Sequence, residues 1–218
     1  MRKFWESIYC PNYITGYDPF ELKGMKRAIN RLALAINNRQ KIVIYGTYNV
    51  DGICAVSSLI LLLRYLNADV EYLIYDRQDN DARINSKDIK ENVDFLGAEL
   101  LITLGVGLKS KDEVELCKKL GIDLIILENE VFIKEGNKFL VNTNNNGLRS
   151  IIEFNKIEEF DNDGVDTIID FLVPPIGAVG VTDNARIVLE LLTTNDKDRS
   201  NQIVKYLYRL KKNKVLSN

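Results

Sequence analysis

The chain has 218 residues, of which 46% are hydrophobic and 28% charged, and its formal net charge is -2. This length suits one domain with a substantial apolar core, and the charge gives no global signal for nucleic acid. The sequence contains no histidine, which excludes Ser-His-Asp and Cys-His catalysis, histidine general bases and imidazole metal ligands. Any chemistry must use carboxylates, Lys, Tyr, Cys or the backbone.

Three cysteines, Cys10, Cys54 and Cys117, are far apart and form no CxxC pair, which argues against a structural zinc site. The first 17 residues lack the apolar stretch of a signal peptide. The longest apolar run, residues 59–63, is too short to span a bilayer. We therefore expect a cytoplasmic protein without membrane contact.

The first predicted helix begins at residues 18–21, Asp-Pro-Phe-Glu, after an irregular segment. Aspartate can cap the helix, proline fits its first position, and glutamate completes a capping box. Apolar residues then recur at helical spacing on the face that we expect to be buried: Met25, Ile29, Leu32 and Ile36. Asn37 and Asn38 end this helix.

A strand, a loop and a helix form the central unit of the chain: residues 42–45, 46–52 and 53–66. Gly46 and Gly52 frame the loop. Further strands are predicted at residues 69–75, 100–104 and 123–127, with a helix that Ser86 caps and another at residues 110–120 between them. This alternation predicts an α/β fold, a Rossmann-like parallel sheet with helices on both faces.

The pattern becomes mainly helical after residue 130. A strand is predicted at residues 138–142, a loop at 161–164, and helices at 148–160, 182–192 and 196–212. We expect a single domain over residues 1–218. Residues 1–40 hold an irregular segment and a helix, residues 41–145 the parallel core, and residues 146–218 a C-terminal helical portion.

The loops after three strands carry polar side chains. Because parallel strands send their carboxyl ends to one edge of a sheet, residues 46–52, 105–107 and 128–130 should converge there. Hydrolases that use two metal ions need several carboxylates at such a place, and the acids available are Asp51, Asp76, Glu128 and Glu130. The alternative is that these acids are ordinary loop residues and helix caps.

The last predicted helix carries basic residues with tyrosines between them. The basic residues are Lys205, Arg209, Lys211 and Lys212, and the tyrosines are Tyr206 and Tyr208. Cations interleaved with aromatic rings are typical of a nucleic-acid-binding face. The alternative is a solvated face whose cations stabilise the carboxyl end of the helix dipole.

Four segments in order resemble motifs of the DHH phosphoesterase superfamily, and within it the bacterial RecJ-type single-strand exonucleases. Residues 42–52, IVIYGTYNVDG, are similar to the first motif, IVIYGDYDVDG; LITLGVG at 101–107 is similar to ITVDCG; GIDLIILENE at 121–130 is similar to GIDVIVTDHH; and residues 171–196 are similar to the segment that contains PRINAAGR. The resemblance implies a DHH domain fold and, for the family, a manganese-dependent 5'-3' single-stranded DNA exonuclease activity.

The departures from these motifs fall on the residues that the resemblance implies to be ligands. Thr47 and Asn49 stand at two aspartate positions of the first motif, where Asp51 stays acidic, and Gly105 stands at the aspartate of the second. Glu128, Asn129 and Glu130 stand at Asp-His-His of the third, and Pro175 and Val181 stand at late arginines. The family's DHHA1 domain is expected to be absent.

These departures predict a RecJ-like protein that has lost most metal ligands and needs no cofactor. It would act as a binding or regulatory pseudoenzyme in DNA replication or repair, with a protein or single-stranded nucleic acid as its partner. One alternative is a residual exonuclease or phosphodiesterase that uses Mn²⁺ or Mg²⁺ at Asp51, Asp76, Glu128 and Glu130. A second alternative is a non-catalytic nucleic-acid-binding module that uses the basic helix.

Overall fold

The computed structural model describes residue 20 and residues 24–75, 83–105, 107–108, 111–127, 143–158, 162–173 and 181–215. In chain order the elements are α1 (Met25–Asn37), β1 (Ile42–Thr47), α2 (Val50–Tyr65), β2 (Val70–Tyr75), β3 (Arg83–Ile84), α3 (Ser86–Asp88, continued by the π-helical turns Ile89–Asp94), β4 (Leu100–Leu104), β5 (Gly107–Leu108), α4 (Lys111–Leu120), β6 (Asp123–Leu127), α5 (Asn146–Asn155), α6 (Asn162–Leu172), α7 (Val181–Thr193) and α8 (Lys197–Val215). None of the helices in these ranges is long and apolar enough to cross a membrane.

The central sheet is parallel and has the strand order β2-β1-β4-β6. Ile42 lies opposite both Val70 and Leu100, and Leu100 lies opposite Asp123. The chain therefore runs from β1 to one side of the sheet and later returns to the other side. This places the switch point, where α/β sheets bind ligands, at the carboxyl ends of β1 and β4.

Helices cover both faces of the sheet, which confirms the predicted α/β architecture. On one face, Ile42 and Ile44 of β1 pack in one cluster with residues of α2, α5, α6, α7 and α8. On the other face, Val43 and Tyr45 pack with residues of α3 and α4, including Cys117. Strand β4 is buried along its length and β1 is buried as far as Gly46, as their uninterrupted apolar runs predict for strands that are covered twice.

Helix α1 buries most of the predicted face, because Leu32 and Ile36 pack against the main core cluster and Met25 is half-buried. Its side chain most deeply buried is Ala35, whereas Ile29 is 41% exposed. The reason is that α1 lies beside the edge strand β6, to which Arg31 is bound through Asp123, so part of its apolar face has no sheet beneath it. The proposed start at residues 18–21 lies, apart from Phe20, outside the described residues.

Several boundaries differ from those predicted. Helix α3 is capped by Asn85 in a capping box with Asp88, not by Ser86. Helix α5 ends at Asn155 because Lys156 adopts a left-handed conformation, φ 52°. Residues 162–164, part of the predicted loop at 161–164, form the first turn of α6 instead, since Asn and Asp suit the amino end of a helix as well as a turn. The predicted strand at 138–142 lies outside the described residues.

Candidate functional site

The connection between β1 and α2 is shorter than the predicted seven-residue loop. Strand β1 extends through Thr47, and α2 begins at Val50 with Asn49 as its N-cap. The Asn49 Oδ1 atom accepts a hydrogen bond from the Gly52 N–H at 2.7 Å and another from the Thr47 hydroxyl at 2.9 Å. Both neutral residues of the first motif are therefore engaged in holding the amino end of α2.

Two glycines allow α2 to approach β1 closely. A Cβ atom on Gly52 would collide with the backbone of Thr47, and one on Gly46 would collide with the side chain of Val56. Only glycine, which has no Cβ, fits where two backbones come this close. The glycines that frame the motif are thus required for packing in this structure.

Asp51 is the acidic residue that remains in the first motif. It is exposed and lies in the first turn of α2, where a carboxylate interacts favourably with the helix dipole. Burial, together with the nearby Asp51 charge, raises the pKa of the Cys54 thiol to about 11. Because a nucleophilic cysteine must ionise near neutral pH, Cys54 is unsuited to that role.

Gly105 marks the second motif at the carboxyl end of β4. Its φ angle is +68°, in the left-handed region that glycine adopts without strain and other residues rarely adopt. Its N–H donates to the carbonyl oxygen of Leu127 at 2.9 Å. The position that resembles a ligand-bearing aspartate is therefore a backbone link between β4 and β6.

The described part of this edge holds one of the acids predicted to bind metal, Asp51. Among the described residues, no three Asp, Glu, His or Cys side chains are grouped so that they could hold a metal, whereas hard cations take six or more oxygen ligands. Asp76, Glu128, Asn129 and Glu130 lie outside the described residues, and so does Pro175. Their contribution to a metal site stays a prediction.

The four basic residues predicted to bind nucleic acid do not share one environment on α8. Lys205, Arg209 and Lys212 are exposed. Lys211 is half-buried, with its Nζ atom 5.2 Å from the centroid of the Phe171 ring, and burial lowers its pKa. The structure therefore brings three of the four together at the surface and turns Lys211 towards α6.

The N-cap role of Asn49 and the packing role of Gly52 were missed by sequence reasoning. A signal for the cap was present, since asparagine followed by an apolar helix is among the most favoured N-cap patterns. The motif resemblance predicts only the missing charge at this position. The two interpretations are compatible, because aspartate and asparagine both cap helices.

The parallel sheet, its switch point and the strand–loop–helix unit at 42–65 define an α/β protein with a doubly wound parallel sheet. The family described as "DHH family, N-terminal domain" matches residues 41–153, which is more than half of the chain. The chain therefore belongs to the DHH family, as a RecJ-like member.

Named relatives are single-stranded-DNA-specific exonucleases. The RecJ protein of Bacillus subtilis is 39% identical over 115 residues, which are 51% of this chain and 14% of that protein. The RecJ protein of Haemophilus influenzae is 32% identical over 115 residues, which are 52% of this chain and 20% of that protein. The matched region thus spans a fifth or less of these relatives.

Two solved structures share the fold. An exonuclease RecJ bound to manganese superimposes with a TM-score of 0.69 at 16% identity, covering 86% of this chain and 65% of that one. The Thermus thermophilus RecJ in complex with Mn²⁺ gives a TM-score of 0.67 at 17% identity, covering 87% of this chain and 38% of that one. At these identities the likeness extends to the fold alone.

Proposed function

We propose that this chain is a non-catalytic, binding member of the RecJ-like DHH proteins, acting in DNA replication or repair. The observation that carries the proposal is the hydrogen-bonded Thr47–Asn49–Gly52 arrangement. At two positions where the first motif has aspartates, this chain has the amide of Asn49, which caps α2, and the hydroxyl of Thr47, which donates to that amide. These neutral groups cannot offset the charge of two divalent cations.

Gly105 supports the proposal independently. Its left-handed backbone favours glycine over aspartate, so more than a side chain distinguishes this position from the motif it resembles. The pairing of its N–H with Leu127 also uses the backbone donor for joining strands. In this chain the second motif position thus connects β4 to β6 through a backbone hydrogen bond.

The buried strands and the close glycine contacts support a role for the fold itself. An apolar sheet with helices on both faces is kept, while neutral residues stand at three of the four described motif positions, 47, 49 and 105. A DHH fold that keeps its packing but has neutral residues at positions of the metal-binding motifs suits a binding role. Since relatives are named as single-stranded-DNA-specific exonucleases, the proposed partners are single-stranded nucleic acid or a protein that handles it.

A hydrolysis assay and a metal titration test the proposal together. The purified chain is incubated with end-labelled single-stranded oligonucleotide and Mn²⁺ or Mg²⁺, beside an active RecJ exonuclease as positive control. We expect no hydrolysis above that of the Asp51→Ala variant, and no heat of Mn²⁺ binding at millimolar concentration by calorimetry.

Manganese-dependent hydrolysis that Asp51→Ala abolishes would overturn the proposal. It would favour a residual phosphodiesterase, and the variants Asp76→Ala, Glu128→Ala and Glu130→Ala would then identify its remaining ligands. Hydrolysis that Asp51→Ala leaves unchanged would indicate a contaminating nuclease, and repeating the assay after a further purification step decides the question.

A further inference from the structure

Helix α8 presents a line of cations to solvent. Lys205, Arg209 and Lys212 are spaced by four and three residues, so they project from one face of the helix over about 10 Å of its length. All three side chains are exposed. We call these three residues the α8 basic stripe.

The charge of the α8 basic stripe is not neutralised by carboxylates in the part of the chain that the structure describes. The amino-terminal half of the same helix differs, because Lys197 pairs with Glu153 at 3.3 Å and Arg199 pairs with Glu190 at 2.6 Å. The sequence contains no Asp or Glu after Arg199. Positive charge is therefore concentrated here although the whole chain is slightly acidic.

Two tyrosines lie on either side of the α8 basic stripe. Tyr206 and Tyr208 are each 43% exposed. The ring of Tyr208 packs edge-on against Phe154 with 5.2 Å between centroids, which holds it in place. Tyr206 makes no ring contact among the described residues, and its partly exposed ring is one of those proposed for stacking.

The inner side of α8 fixes the position of this surface. Ile203, Val204 and Leu207 are buried in the main core cluster, and the Ser200 hydroxyl is hydrogen-bonded to the Ser150 hydroxyl of α5 at 2.7 Å. A helix anchored in this way holds its outer side chains in a fixed arrangement. Little ordering is then needed when a ligand binds.

We propose that the α8 basic stripe, with Tyr206 and Tyr208, is a non-catalytic binding site for single-stranded nucleic acid, separate from the β1–α2 connection. Cations contact the phosphates, and unpaired bases stack on the tyrosine rings, which a duplex does not permit because its bases are already stacked. This inference rests on the proposed binding role and names its ligand class. Lys211, held over Phe171, is outside the site.

Fluorescence anisotropy of the full chain with labelled oligo(dT), oligo(U) and a hairpin duplex tests the site. With three phosphate contacts, affinity for single strands should fall about 20-fold between about 50 and 200 mM salt. The double variant Arg209→Glu/Lys212→Glu should lower affinity more than tenfold and flatten the salt dependence. Tyr206→Ala should lower single-strand affinity about tenfold and leave duplex binding unchanged.

The matched control is Lys118→Glu/Lys119→Glu. These two exposed lysines lie near the carboxyl end of a different helix, α4, so the variant changes net charge by the same amount at another place on the surface. We expect it to bind like the unmodified chain. Should the glutamate variant at 209 and 212 lose its circular dichroism signal, the neutral Arg209→Gln/Lys212→Gln variant decides, with affinity again expected to fall.

Absence of oligonucleotide binding at low salt would overturn the inference, as would equal losses in the 209/212 and 118/119 variants. Duplex binding as tight as single-strand binding, with a single-strand affinity that Tyr206→Ala does not change, would also overturn it, because the surface would then be a general polyanion site. Comparison of oligo(dT) with oligo(U) distinguishes DNA from RNA as the ligand. Hydrolysis with Mn²⁺ would overturn the proposed function and leave this site standing, so the two can fail separately.

Discussion

The two edges of the central sheet are built from different chemistry. At the amino edge, Arg31 donates hydrogen bonds to Gln40 and to the backbone oxygen of Glu99, and forms an ion pair with Asp123. Lys41 adds an ion pair with Asp69 at 2.7 Å. In the described part of the carboxyl edge, neutral hydrogen bonds join Thr47 and Gly52 to Asn49, and the Gly105 N–H to the carbonyl oxygen of Leu127.

The charged groups at the amino edge have a structural role, whereas the carboxyl edge is where charged groups would have a functional role. At the amino edge, charged groups connect α1, β4 and β6, and their role is to hold the elements together. At the carboxyl edge, where α/β sheets bind ligands, the described connections need no acid. The fold can therefore persist when acids are exchanged there, which explains how a RecJ-like scaffold and unusual motif residues occur in one chain.

The largest effect is expected from filling the close contact at the carboxyl edge. Gly52→Ala should lower the free energy of unfolding by about 3 kcal/mol, because its Cβ would overlap the backbone of Thr47 and force α2 away from β1. Urea denaturation followed by circular dichroism measures the loss.

Gly97→Ala is the control for Gly52→Ala. Gly97 has φ +71°, and no atom lies within 4 Å of the position that a Cβ would occupy there, so the cost of about 1 kcal/mol reflects backbone strain alone. If Gly52→Ala were no more destabilising than Gly97→Ala, the inference that α2 and β1 are too close for a Cβ at residue 52 would be wrong.

A smaller effect is expected from removing the charge that organises the amino edge. Arg31→Met keeps the aliphatic stem but removes three partners of a side chain that is only 19% exposed. We expect a loss of about 1–2 kcal/mol in the free energy of unfolding, part of which disappears at high salt.

Lys87→Met removes an exposed ion pair with Glu91 at 3.8 Å and serves as the comparison for Arg31→Met. Its loss should be about 0.5 kcal/mol or less. Equal losses in the two variants would show that the Arg31 interactions contribute no more than an ordinary surface pair, and the contrast between the edges would weaken.

Sequence patterns predicted the sheet well because its information is local. The buried runs at β1 and β4 specify strands, and alternation with helices specifies parallel pairing. The pairing of β3 with β5 was not predictable in the same way, since each strand has two residues and their partnership depends on distant backbone positions. The orientation of Lys211 also depends on Phe171, which is far from it in sequence.

In the candidate site, too, the sequence predicts the positions of residues but not their roles. The motif positions 47, 49, 51 and 105 were located by sequence, and the structure describes all four. Their present roles depend on geometry: the side-chain oxygen of Asn49 faces the Gly52 N–H, and Gly105 adopts a positive φ. Neither property is encoded by residue type alone.

The smallest effect is expected at Asn49, and it separates capping from metal binding. Asn49→Ala should cost about 1 kcal/mol through loss of the N-cap, as measured by urea denaturation. Asn49→Asp should be neutral or slightly stabilising, because a carboxylate accepts the same two hydrogen bonds and interacts favourably with the helix dipole.

The informative comparison is the melting temperature of the Asn49→Asp variant with and without Mn²⁺. A ligand that binds the folded state at a hundred times its Kd stabilises by about 2.7 kcal/mol, an effect that a melting curve detects easily. We expect no manganese-dependent shift, because Thr47 and Gly105 still supply no carboxylate. A shift in this variant that is absent from the unmodified chain would mean that one added acid completes a metal site with acids beyond the described residues, and the proposed loss of metal binding would then depend on Asn49.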